Sequence, residues 1–129
     1  MKKLTPPKPT DTELTILRVL WKLGPSTVRT VHEEMNLSQE TGYTTVLKML
    51  QIMTEKGLVK RDESERSHVY EPAFSEQRVQ RQLLGHLVDR AFGGSAQKLV
   101  MQALSTKKAS AKELAEIRKF LDEMEKGPR

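Results

Sequence analysis

Between Thr10 and Pro72 the sequence sets out three amphipathic helical segments and then two short strand-like segments, each closed by glycine or proline. That order within so short a stretch most restricts what this chain can fold into. Thr10 to Glu13 has the form of a capping box. The helix that follows is rich in Leu14, Leu17, Leu20 and Trp21, with Ile16 and Leu23 flanking, and Gly24-Pro25 ends it. Thr27 caps a short second helix over about Val28–Met35, striped by Val28, Val31 and Met35. Asn36 to Glu40 is a polar connection. A third helix runs from about Gly42 to Lys56, with Gly57 as its natural C-terminal cap. Leu58–Asp62 and Ser67–Glu71 then flank a charged tip and read as a hairpin stopped by Pro72.

Helix, helix, helix, hairpin is the winged helix-turn-helix arrangement, and the expected fold class is mostly α. Beyond Pro72 the character changes. Ser75 caps a long helix to about Phe92, Gly93-Gly94 breaks it, and Ser95 starts a shorter helix to about Leu104. Ser110 and Glu113 form a second capping box ahead of a last helix carrying Leu114, Ile117, Leu121 and Met124. The expected organisation is a flexible Pro/Lys-rich arm over 1–9, a winged-helix domain over 10–73 and a helical domain over 74–129.

The third helix carries the sharpest signal. At about 100° per residue, Met49, Leu50 and Met53 fall with Val46 on one side, and Thr41, Thr44, Lys48 and Gln51 fall opposite. One side anchors the helix; the other presents short hydroxyls and a lysine near the helix start. Threonine allows close approach to a base edge, its methyl can touch the methyl of thymine, and Lys48 reaches guanine or a phosphate. The bland alternative is that any amphipathic helix has a polar face. The hairpin offers Lys60, Arg61, Arg66, Ser67 and His68 to a minor groove or flanking backbone. Asp62, Glu63 and Glu65 sit among these cations, so a solvated turn is the alternative there.

Charge gives limited support. The chain of 129 residues carries a net +5, but residues 1–72 hold 11 Lys+Arg against 10 Asp+Glu, and residues 73–129 hold 11 against 7. Phosphate attraction must come from where charges sit, not from their sum. Aromatic residues are 5% of the chain, which argues against an aromatic single-strand groove. Cysteine is absent, which removes disulfides and thiolate metal sites and fits a reducing cytoplasm. No stretch approaches a membrane span, and MKKLTPPKPT lacks the apolar core of a secretory signal. No nucleophile-base constellation, glycine-rich phosphate loop or metal-ligand spacing is present, so neither an enzyme nor a cofactor or metal site is expected; His32, His68 and His86 stand far apart.

The stretches TELTILRVLWKLGPSTVRTVHEEM, TGYTTVLKMLQIMTEKGLV and HVYEP resemble the penicillinase-repressor (BlaI/MecI) family. The most specific parts are Leu20-Trp21 with Gly24-Pro25, the run Tyr43-Thr44-Thr45-Val46, and Lys56-Gly57-Leu58-Val59. The resemblance implies a winged-helix repressor that binds a palindromic double-stranded operator as a homodimer. It also implies relief by cleavage in the C-terminal domain, triggered by a membrane sensor-protease. The family's DNA-facing positions carry over to Thr44, Thr45 and Lys48 in the third helix and Arg66 in the wing. With Thr41, Tyr43, Arg61 and Ser67 these make the expected DNA-binding set. Members often have glycine where this chain has Glu65, and the Asn-Phe bond cut in β-lactam-responsive members falls near Gln102-Ala103 here. Copper-responsive relatives use cysteine pairs, a route closed to this chain.

The tail has too little sequence for a core of its own. Leu83, Leu87, Phe92, Leu99, Val100, Leu104, Leu114, Ile117 and Leu121 form the expected dimerisation surface. Burying each leucine contributes about 1.5–3 kcal/mol, so a second copy is the natural cover. The alternative is that these faces pack back onto the winged helix of the same chain. For function, the alternative is a winged helix that binds protein instead of DNA, which salt dependence separates.

Overall fold

The computed structural model describes residues 5–127. The elements run α1 (Asp11–Leu23), β1 (Ser26–Thr27), α2 (Val28–Met35), α3 (Tyr43–Lys56), β2 (Val59–Asp62), β3 (Val69–Pro72), α4 (Glu76–Ala91), α5 (Ala96–Thr106) and α6 (Ala111–Lys126). The chain divides into two compact units, residues 1–85 and 86–129, with the division inside α4.

In the first unit the local signals act as the residue types dictate. Thr10 Oγ1 accepts the Glu13 N–H at 3.2 Å and Glu13 Oε1 accepts the Thr10 N–H at 2.8 Å, so both halves of the capping box are made. Gly57 ends α3 in the left-handed conformation (φ 85°, ψ 17°), and the Leu58 N–H reaches back to the Met53 carbonyl at 2.9 Å. That six-to-one bond is the Schellman ending, and a side chain at position 57 would strain it.

The core joins all three helices to the sheet. Ile16, Leu17 and Leu20 of α1, Val28, Val31 and Met35 of α2, and Val46, Leu50 and Met53 of α3 close around Leu58, Val59 and Tyr70. Trp21 is half-buried against this cluster, its indole N–H donating to the Phe74 carbonyl at 3.1 Å. Val79 of α4 is also buried.

The hairpin is part of a larger sheet than expected. β2 and β3 pair antiparallel with Arg61 opposite Tyr70, and β1 pairs on the other edge of β3 with Ser26 opposite Tyr70. The order is β1-β3-β2, which makes β3 the central strand, and its Tyr70 is buried within the core cluster. A strand of two residues has no alternation to betray it in sequence.

Residues 1–4 of the expected arm lie outside the described residues. In its remainder Pro6 and Pro9 are buried, and the Gln82 side-chain amide of α4 donates to the Pro6 carbonyl.

In the second unit Gly93 and Gly94 take positive φ values of 56° and 83° and separate α4 from α5. Ser95 caps α5 by accepting the Lys98 N–H at 3.1 Å. Ser110 and Glu113 complete their capping box at the start of α6. No described residue of 86–127 is buried.

Candidate nucleic-acid interface

The burial of α3 follows its sequence period. Val46, Leu50 and Met53 are fully buried and Leu47 and Met49 pack half-buried against the core, whereas Thr44, Thr45, Lys48 and Gln51 are exposed. Tyr43 opens the helix, 47% exposed, with its ring edge-on to His32 at 5.6 Å between centroids. Gly42 caps α3 without any side-chain hydrogen bond, which leaves the first-turn amides open for an incoming acceptor.

Two contacts fix how α3 is presented. At its start, Asn36 clamps the connection from α2. Its Nδ2 donates to the carbonyls of His32 (2.7 Å) and Thr41 (2.9 Å), and its Oδ1 accepts the Thr41 N–H (3.0 Å). At its end, Lys56 Nζ meets Glu13 Oε1 at 2.6 Å, with the Glu13 side chain only 2% exposed. Burial pushes the Glu13 carboxyl up. The Lys56 ammonium and the Thr10 hydrogen bonds outweigh that and hold it below its ordinary value.

Thr41 stands apart from the other expected residues. The helical period extended upstream places it on the outer face, but α3 begins at Tyr43. Thr41 is half-buried in the connection, and its hydroxyl donates to the Gln39 carbonyl at 3.2 Å.

The wing tip spans 63–68. Asp62 Oδ1 accepts the Ser64 N–H at 2.9 Å, an Asx turn, and hydrogen bonding from Ser64 holds the Asp62 carboxyl below its usual range. No described non-glycine residue has a positive φ, so Glu65 occupies the tip without backbone strain. Arg61 Nη2 lies 3.4 Å from Glu63 Oε1, and His68 Nε2 lies 3.8 Å from the same oxygen. Arg66 and Lys48 have no ion pair among the described residues.

Tyr43 from α3 and Arg66 and Ser67 from the wing come together in one concavity of about 330 Å³, with Thr27, Val28, Arg29, Leu47, His68 and Tyr70 completing its wall. Sequence reasoning missed Arg29. It stands among ordinary helix charges of α2, and only the fold brings it beside the wing. In the sequence Asn36 is only one polar residue of a connection, because its clamp needs Thr41 folded back onto it.

The expected dimerisation residues are all exposed or half-exposed. Leu87, Val100, Leu104, Leu114 and Leu121 are exposed, while Leu83, Phe92, Leu99 and Ile117 are half-buried. Among the described residues no group of His, Asp and Glu side chains is placed to hold a metal, and no helix is long and apolar enough to cross a membrane.

The chain matches the family model described as "Penicillinase repressor" over residues 9–123. It is 31% identical over 119 residues to the "Transcriptional regulator BlaI" of Mycobacterium tuberculosis, covering 91% of this chain and 85% of that protein. It is 25% identical over 123 residues to the "Penicillinase repressor" of Bacillus licheniformis, covering 95% and 94%. Among solved structures it is similar to the Bacillus licheniformis BlaI monomeric form in complex with the blaP half-operator. That match has 28% identity and a TM-score of 0.50, and covers 60% of this chain and 93% of that one.

Proposed function

This chain belongs to the penicillinase repressor family, and on that premise we propose that it represses as a homodimer, with each copy docking one α3 on one half of a palindromic double-stranded operator. It is a winged-helix, DNA-binding transcriptional repressor, not an enzyme by family. The observation that carries the proposal is the division of α3 into a buried apolar seam and an exposed face of Thr44, Thr45 and Lys48. A helix held rigidly from behind can enter a major groove without its presentation drifting, and its first turns then meet base edges. Tyr43, Arg61, Arg66 and Ser67 supply flanking contacts that position the domain.

The case for a second copy rests on the tail. Leu87, Val100, Leu104, Leu114 and Leu121 leave apolar surface in water, and a two-fold partner covers such faces. In the Bacillus licheniformis complex a monomeric form is bound to a half-operator. Linking two such half-site contacts raises the local concentration of the second and sharpens specificity.

Relief by a membrane sensor-protease in the cytoplasm is part of the same proposal. Gln102 and Ala103 are exposed but lie within α5, so a cut there requires α5 to unwind locally. Two variants of the full chain test the proposal. Thr44→Ala with Lys48→Ala loses sequence-specific DNA binding yet sediments as a dimer. Leu114→Glu with Leu121→Glu sediments as a monomer and keeps only weak half-site binding. Dimers from the second variant, or specific binding by the first, would contradict it.

A further inference from the structure

We propose that the concavity between α2, the start of α3 and the wing seats one backbone phosphate of the DNA duplex, and that Arg29 is the positioning residue that holds it. This rests on the DNA-binding reading above and adds a contact and a residue to it.

The concavity is distinguished by its charge. Its wall carries Arg29 from α2, Tyr43 and Leu47 from α3, and Arg66, Ser67 and His68 from the wing, and no described carboxylate lines it. Two other concavities of this unit carry carboxylates in their walls: one has Glu34 and Glu76 beside Arg18 and Lys22, the other Asp11 and Glu40. A hollow with two arginines and the hydroxyls of Thr27 and Ser67, and no carboxylate in its wall, suits a phosphodiester. It opens beside Tyr43, the first residue of α3, so a duplex whose major groove receives Thr44 and Lys48 brings a flanking strand past it.

Arg29 is suited to move onto that strand. Its side chain is 85% exposed, and its ion pair, to Glu33 one turn along α2, is long at 3.7 Å and open to solvent. Such a pair is worth little and yields readily to a phosphate. Arg66, from the wing, has no ion pair among the described residues and lines the same hollow as Arg29. The contact carries no base information; it sets where along the groove the exposed face of α3 comes to rest.

The test uses the full chain and a fluorescent duplex of random sequence, titrated from about 50 to 200 mM salt. Wild-type affinity falls linearly on a log–log plot. Arg29→Ala binds more weakly and makes that line shallower by about 0.9 for each bound copy, the value for one lost phosphate contact. Arg29→Lys keeps the slope, since the charge remains. Glu33→Gln, which removes the competing carboxylate, binds more tightly than wild type. Thermal melts of the three variants match wild type, because the side chains changed are exposed. Unchanged slope and affinity in Arg29→Ala, with wild type binding normally, overturns this contact alone. Failure of the wild-type chain to bind any duplex overturns the DNA-binding reading and this contact with it.

Discussion

Glu13 shows how one side chain can serve two ends of a fold. It caps α1 through Thr10 and ties down the far end of α3 through Lys56. The capping half was legible in the sequence, because Thr10 and Glu13 have the right spacing. The Lys56 half was not, since the partners stand 43 residues apart. Because folding holds the Glu13 carboxyl below its ordinary value of 4.5, its contribution is fully present above that pH and is lost as pH falls through the lowered folded value. Glu13→Gln is therefore expected to destabilise the protein by about 1–3 kcal/mol at neutral pH. The gap to wild type should narrow in chemical denaturation below pH 4.5. Asn36 makes a comparable case for function. Asn36→Ala removes three hydrogen bonds that fix the approach to α3, and should lower specific DNA affinity more than it lowers the melting temperature.

Elements with strong periodicity were readable and short ones were not. The three helices of the first unit could be placed from their stripes and caps because each buries a side of the helix wide enough to pattern the sequence. The strand β1 could not, since Ser26 and Thr27 acquire their pairing only when β3 arrives from more than forty residues away. The exposed face of α3 was legible except at Thr41, where the helix start decided the matter. Two substitutions on this one helix should separate scaffold from surface. Leu50→Ala empties a fully buried site and should cost about 2–5 kcal/mol in denaturant unfolding. Lys48→Ala, on the exposed side, should leave the unfolding midpoint in place while weakening DNA binding.

At the scale of the whole molecule, sequence and structure leave apolar faces on α4, α5 and α6 in water, and their exposure is the reason for proposing a second copy. The exposure could not be read from composition, because a list of leucines does not say which ones the chain covers by itself. The central claim is that two copies present the Thr44–Lys48 face to one duplex. In-vitro selection from a random double-stranded library, run in parallel for wild type and for Thr44→Ala with Lys48→Ala, tests it most directly. The account predicts that wild type recovers an inverted repeat with half-site centres about one helical turn, or a multiple of it, apart, and that the variant recovers none. A recovered site without two-fold symmetry, or the same repeat from the variant, would contradict it.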